Sequence, residues 1–226
     1  MSALRSMHLE AWALAFAFTL AAATPAQAVL LNTGDTVALP GTTVASEPQL
    51  GGAVIVDEVI PFSFVSGLGT ILGTVQQRIV RSTLDGTLDF YWRVVNDVES
   101  VGAIGSFRIG EFDSPEYNAN YRIDGLGDLG PQTAHRFNGL FESYLNFYDF
   151  SASGLLPGQS SLFMFLDTTA TDYARTAFFD VTNINQTFIS DSFAAYSPAT
   201  PVPEPSSALL IALGMAGVAA VVRRKA

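Results

Sequence analysis

The chain has 226 residues, 49% of them hydrophobic and none of them cysteine, and a formal net charge of −10 at neutral pH. Without cysteine there are no disulfides, no thiolate nucleophiles and no thiolate metal sites. Between residues 29 and 203, seven arginines stand against 19 acids, a balance of −12 that disfavours nucleic acid as a partner.

Residues 1–28 have the pattern of a secretory signal peptide. A start containing Arg5 leads into an uncharged run, and Ala26 and Ala28 supply the small side chains that signal peptidase accepts. Cleavage after Ala28 would leave Val29 as the N-terminus of an exported chain. Signal peptidase is therefore the first expected partner.

Residues 29–196 predict one exported domain, because the roughly 175 residues left between the two ends are enough for a single well-packed core. Short aromatic and β-branched runs recur here, divided by Gly, Pro, Asn and Asp, and none has the pattern of a helix. About eight strands are expected. They favour an all-β fold, an antiparallel β-sandwich of jelly-roll-like form.

Three local patterns make this prediction more specific. "TLDFYWRVVN" alternates in the way of a strand, and Asp85-Gly86 before it predicts a two-residue hairpin. That register sets Arg78 opposite Arg93, a like-charge pair, so a longer loop or a bulge is the alternative. "LFMFL" at 162–166 predicts an inner strand buried on both faces, and Pro61 predicts a strand start or a bulge.

Catalytic groups are sparse in this domain. His135 is its single histidine and no G-x-S-x-G occurs, so His135 is interpreted as a surface histidine and not a general base. One histidine without cysteine also excludes the common zinc spacings. Acids that alternate with apolar residues, as at Asp89 and Asp149, are expected on the wet side of a strand. No cofactor and no enzymatic activity are expected.

Two groups of polar or aromatic residues are candidates for binding. The loop 113–128 gathers oxygen ligands of the kind Ca²⁺ prefers, although Asp, Asn and Gly are also ordinary loop residues. The tyrosines of the domain suggest a platform for stacking sugars, although core packing is the alternative. The candidates are Asp113, Glu116, Asn118, Asn120, Asp124 and Asp128 for calcium, and Tyr117, Tyr121, Tyr144 and Tyr148 for sugar.

The C-terminal part has three pieces: a Pro/Ser linker at 197–207, an uncharged run at 208–222 and a basic end at 223–226. As a helix the run would cover roughly 22 Å, short of the ~30 Å hydrocarbon layer, with flanking residues extending it. It predicts a marginal transmembrane helix. The basic end would stay in the cytoplasm, so the domain would lie outside.

These pieces resemble the PEP-CTERM sorting signal of Gram-negative bacteria. The residues that carry the resemblance are Val202, Pro203, Glu204, Pro205, Arg223 and Arg224. The resemblance implies an exosortase as partner, anchoring in the inner membrane, cutting near Pro-Glu-Pro, and then release or transfer to the cell surface. Bacteria with such proteins typically make extracellular polysaccharide. The strand series also resembles the β-rich passenger domains attached to such signals, which brings no assigned activity.

Together these patterns predict an exported, non-catalytic protein of the cell envelope or extracellular matrix, linked to extracellular polysaccharide. A carbohydrate-binding module is the first alternative. A carboxylate-dependent glycosidase is the second, because such an enzyme needs two acids about 5 to 10 Å apart across a sugar. No pair among the 19 acids is singled out by the sequence.

Overall fold

The computed structural model describes residues 27–141, 143–148 and 150–199. The predicted signal peptide up to residue 26, the Pro-Glu-Pro motif, the 208–222 run and the basic end lie outside this part. Within the described residues, no helix has the length and apolar character needed to cross a membrane.

The described residues form twelve strands and three short 3₁₀ helices. The strands are β1 (Val29–Leu30), β2 (Thr36–Ala38), β3 (Gly52–Ser66), β4 (Gly69–Ser82), β5 (Leu88–Asn96), β6 (Ile104–Gly110), β7 (Asn118–Arg122), β8 (Thr133–Arg136), β9 (Leu145–Tyr148), β10 (Phe163–Asp167), β11 (Tyr173–Asn183) and β12 (Phe193–Pro198). The 3₁₀ helices are Pro48–Leu50, Gly139–Phe141 and Ile184–Gln186.

The strands form two antiparallel six-stranded sheets that pack as a β-sandwich. The first sheet has the order β1-β7-β10-β5-β4-β3, and the second has the order β12-β11-β6-β9-β8-β2. The all-β prediction is confirmed. The expected count of about eight strands is too low. Several edge strands, such as β1 and β2, are too short for alternation of apolar and polar residues to be recognised in the sequence.

The core lies between the sheets and is built by strand alternation. Phe90 and Trp92 of β5 point inward from the first sheet, and Phe107 and Phe179 point inward from the second. The rings of Trp92 and Phe107 meet across the interface with centroids 5.9 Å apart. Burying side chains of this size is worth roughly 1.5–3 kcal/mol each, so these contacts hold the two sheets together.

The hairpin between β4 and β5 differs from the predicted two-residue turn. Arg81 pairs with Leu88, so residues 83–87 form a five-residue connection between the strands, and Arg78 faces Tyr91 while Arg93 faces Gln76. The Asp85 carboxylate accepts hydrogen bonds from the backbone and hydroxyl of Thr87 and stabilises this longer loop. The wider turn, which was the alternative, avoids the like-charge pair.

Two other strand predictions have different outcomes. β10 lies between β7 and β5 with Phe163–Leu166 buried, which confirms "LFMFL" as an inner strand. Pro61, by contrast, lies in the middle of β3 opposite Thr74, and the irregularity of β3 falls at Val54–Val56. Because β3 is an edge strand, a residue without an N–H is tolerated there.

Candidate functional site

A row of polar side chains crosses the outer face of the second sheet. Its members are cross-strand neighbours on β11, β6, β9, β8 and β2, and they alternate with residues that point into the core. We call this set the polar row: Asp180, Arg108, Asn146, His135 and Thr36.

Hydrogen bonds hold the polar row in place. Arg108 donates from Nε to Oδ1 of Asp180 at 2.6 Å and from Nη2 to Oδ2 at 2.8 Å, a planar two-point ion pair. At the other end, the Nδ1 of His135 and the Oγ1 of Thr36 are 2.8 Å apart. The row therefore presents fixed donors and acceptors side by side.

An aromatic row lies two residues along the chain from the polar row, on the same face of the sheet. Phe178 pairs with Gly110, and the backbone N–H of Phe137 donates to the carbonyl of Tyr144 at 3.0 Å. The rings of Tyr144 and Phe178 meet edge to face with centroids 5.7 Å apart. We define the aromatic row as Phe178, Gly110, Tyr144 and Phe137.

An open hollow of about 440 Å³ lies between the aromatic row and the Arg108–Asp180 end of the polar row. The aromatic row and the Arg108–Asp180 pair line it, and Phe141 of the second 3₁₀ helix adds a further ring. Phe137 is 39% exposed and Phe141 is 58% exposed, so these rings face solvent. A concave, mainly apolar pocket with a few fixed polar groups is typical of a ligand site.

Gly110 makes the hollow possible. A Cβ at this position would lie 2.3 Å from Cζ of Phe178 and 2.7 Å from Cε1 of Tyr144. Only glycine, which has no side chain, leaves room for both rings to pack against the strand at this position. Any larger residue would push the rings outward and change the shape of the hollow.

The tyrosines expected to form one platform are separated. Tyr117 is buried in the core, where Arg136 lies over its ring at 4.5 Å. Tyr121 lies on β7 of the first sheet, whereas Tyr144 lines the hollow on the second. Tyr148 lies on β9. The predicted platform is therefore wrong as a group, although Tyr144 belongs to the candidate site.

The oxygen-rich loop 113–128 does not converge on one point. Asn120 is buried and accepts from the N–H of Gly41 at 2.8 Å, and Asp128 accepts from the N–H of Ser160 at 2.7 Å. Asp124 forms an ion pair with Arg122 at 2.5 Å. Among the residues described, no three His, Cys, Asp or Glu side chains are grouped so that they would hold a metal ion.

A second polar group lies beneath the outer face of the first sheet. Asp89 on β5 pairs directly with Asp167 on β10, and Asp89 has no exposed surface. Burial, with the adjacent charge of Asp167, raises the pKa of Asp89 to about 9. The expectation that Asp89 lies on the wet side of its strand is wrong, because residues 43–51 cover that face.

The predicted cleavage point lies next to this covered face. Val29 opens β1, and the N–H of Ala28 donates to Oε1 of Glu47 at 2.9 Å. Ala28 packs against a small cluster that includes Leu50, Tyr91 and Phe165. Ala26 lies outside the described residues.

Comparisons with known proteins give one match. Residues 201–225 match the family described as the PEP-CTERM protein-sorting motif. Neither the comparison with curated proteins nor that with solved structures gave a match. The matched range contains Val202–Pro205, Arg223 and Arg224, which confirms the resemblance seen in the sequence. It supports export and exosortase-dependent sorting through this part of the chain, which therefore carries a PEP-CTERM protein-sorting motif.

Proposed function

We propose that this chain is a non-catalytic interaction protein of the cell envelope or extracellular matrix, and that its hollow binds neutral polysaccharide. The observation that carries the proposal is the aromatic row lying beside the Arg108–Asp180 pair, with Phe137 and Phe141 facing solvent. The sorting motif supplies the cellular context, because it supports export and sorting through the C-terminal part of the chain.

The chemistry of a sugar ring fits two such rows. A pyranose has an apolar C–H face, which packs against an aromatic ring, and an edge of hydroxyl groups that need donors and acceptors. Rows two residues apart on a strand are separated by about 6.8 Å. A sugar stacked on Tyr144 or Phe178 would direct hydroxyls toward the paired donors of Arg108 and acceptors of Asp180.

Charge favours a neutral polymer over an anionic one. The domain between residues 29 and 203 carries −12, which repels polyanions. Arg108 is the cation in the hollow, and Asp180 already neutralises it through the two-point ion pair. Neutral hydroxyl groups remain the ligands that suit this pair.

The non-catalytic part of the proposal has its own support. Of the described residues that line the hollow, Asp180 is the sole carboxylate, whereas glycoside hydrolysis uses two. The pair Asp89 and Asp167 is directly opposed, but Asp89 is fully buried and has no contact with solvent. A glycosidase is the alternative, and release of reducing sugar would reveal it.

Affinity electrophoresis of the full chain in gels containing neutral polysaccharides tests the binding. The probes are hydroxyethylcellulose, galactomannan and dextran. Phe137→Ala is the test variant, and we expect its retardation constant to fall about tenfold, equivalent to about 1.4 kcal/mol. Phe188→Ala is the matched control, because Phe188 is equally exposed at 39% but lies outside the hollow.

The outcomes separate the alternatives. Retardation that Phe137→Ala weakens and Phe188→Ala leaves unchanged supports the hollow as the binding site. No retardation by any of the three polymers, or equal loss in both variants, would remove it. Release of reducing sugar from any probe would contradict the non-catalytic role.

Sorting is tested separately, by fractionating cells and determining the C-terminal mass of the exported protein. Inner-membrane anchoring followed by exosortase cutting predicts that exported material lacks Arg223 and Arg224. An intact C-terminal segment on all exported molecules would indicate a simple anchored protein instead.

A further inference from the structure

The two residues before the predicted cleavage point are held on the covered face of the first sheet. The Ala28 N–H donates to Oε1 of Glu47 at 2.9 Å, and Nδ2 of Asn120 donates to the carbonyl of Gln27 at 3.1 Å. Ala28 also packs against the cluster of Leu50, Tyr91 and Phe165. The backbone at residues 27 and 28 therefore lies beside the buried Glu47.

Glu47 lacks a partner for half of its carboxylate. It is 6% exposed, and among the described residues its Oε2 has no hydrogen-bond partner although it is buried. A buried carboxylate without enough donors is costly, and a positively charged donor is the group that best relieves the cost.

The charged groups around this point are mostly acidic. Asp167 faces the cluster from β10 and Asp89 from β5, and the charge of Glu47 helps burial to raise the pKa of Asp167. From β7, Arg122 approaches, but its Nε is bound to Asp124. Three carboxyl groups, those of Glu47, Asp89 and Asp167, therefore lie here. The cation near them is Arg122, which is already paired with Asp124.

We propose that Glu47 is the binding site for the new α-ammonium group of Val29 after signal-peptide cleavage. Hydrolysis of the Ala28–Val29 bond consumes one water, leaves a carboxylate on Ala28, and gives Val29 an amine that is protonated at neutral pH. The signal peptide departs with Ala28 and vacates the position of its N–H at Glu47. The inference rests on the predicted cleavage and is independent of polysaccharide binding.

The ammonium group is close enough to take that position. Consecutive Cα atoms are 3.80 Å apart, so the nitrogen of Val29 starts within one residue of the nitrogen that Glu47 already accepts from. The pairing of Val29 with Ala119 in the β1–β7 ladder uses one donor of the ammonium group, and the other two are enough for the two oxygens of Glu47. Charge-assisted bonds are roughly twice as strong as neutral ones, so this contact would be stronger than the Ala28 hydrogen bond that it replaces.

The chain offers a clean chemical test, because Lys225 is its sole lysine. The full precursor is exported from a bacterial host without exosortase, so the mature protein has two amines, Val29 and Lys225. Both are acetylated with trace acetic anhydride over a range of pH, folded and in urea, and quantified by mass spectrometry. Only the unprotonated amine reacts, so a rise of one pKa unit slows labelling about tenfold near neutral pH.

We expect the Val29 amine to label about tenfold more slowly in the folded protein than in urea at pH 7, with no such difference at Lys225. Glu47→Gln should remove the difference. Glu116→Gln, which removes an exposed carboxylate elsewhere, should keep it. The carboxylate stabilises the charged amine, so the labelling midpoint should shift to higher pH.

Three results would overturn the proposal. The first is a mature N-terminus at a residue other than Val29. The second is equal labelling of folded and urea-unfolded protein, a comparison that needs no variant and stands even if Glu47→Gln fails to fold. The third is slow labelling that persists unchanged in folded Glu47→Gln, which would indicate steric shielding without an ion pair.

Discussion

The outer face of the first sheet is covered by other parts of the chain, whereas the outer face of the second sheet is partly open to solvent. On the first sheet, the segment 43–51 and Ala28 cover the strands, so that Tyr91 and Phe165 form a second small core. On the second sheet, the aromatic row stays open to solvent, with Phe137 39% exposed. Both faces have rings and charged side chains on alternating strand positions.

The difference comes from short segments that cross each face. Pro48–Leu50 lays Leu50 onto the first sheet, where its carbonyl accepts from the hydroxyl of Tyr91 at 3.0 Å. On the second sheet, Ile184–Gln186 reaches as far as Asn146, whose Nδ2 donates to Gln186 at 3.3 Å. The same type of surface therefore becomes core where the chain covers it, and a candidate ligand site where it does not.

The largest expected effect is on the covered face, in the variant Asp89→Asn. The pKa of Asp89 is raised to about 9 by burial and the charge of Asp167, well above its unfolded value. Between about pH 4 and pH 9, the folded state therefore keeps a proton that the unfolded state has released. Stability should fall with rising pH through that window by about 1.4 kcal/mol per unit.

Urea unfolding at pH 6 and pH 8 measures this effect. The wild type should lose about 2 to 3 kcal/mol between the two values, and Asp89→Asn should show a much flatter profile. Asp113→Asn, an exposed carboxyl, is the control and should behave like the wild type. Parallel profiles for wild type and Asp89→Asn would mean that Asp89 is ionised within the fold.

The next effect is on the open face, in the variant Gly110→Ala. The added Cβ would lie 2.3 Å from the Phe178 ring, and overpacking of this kind costs about 1–3 kcal/mol. Displaced rings should also weaken retardation by neutral polysaccharide. Gly125→Ala is the control, because its Cβ would meet its nearest atom at an ordinary 3.5 Å. Unchanged retardation in Gly110→Ala would show that the hollow is not the binding site.

The contrast between the faces also explains what the sequence could predict. Alternation in "TLDFYWRVVN" places Phe90 and Trp92 on one face of β5 and Asp89 on the other, because period two fixes the two faces of any strand. It could not tell whether the opposite face is wet or covered. The segment that buries Asp89 lies some forty residues earlier in the chain, and a contact of that separation leaves no local pattern.

The candidate site is even harder to predict from the sequence than the covered face. Phe178 lies on β11, Gly110 ends β6 and Tyr144 immediately precedes β9, and only the cross-strand register makes them neighbours. A one-residue slip would turn each side chain to the other face. The sorting motif, in contrast, is a continuous stretch of sequence, which is why Val202–Pro205 was readable without a structure.

The smallest effect is expected in Tyr91→Phe, which tests how the covering segment is fastened. Tyr91 is 3% exposed, and its hydroxyl is a donor to the carbonyl of Leu50. Losing one buried hydrogen bond should lower the free energy of unfolding by about 1 kcal/mol. Hydrogen exchange should quicken at the amides of Leu50 and Gly51, while polysaccharide retardation stays at the wild-type value. A fall in retardation would mean that the two faces are coupled through the core, because Tyr91 belongs to the first sheet and the hollow to the second.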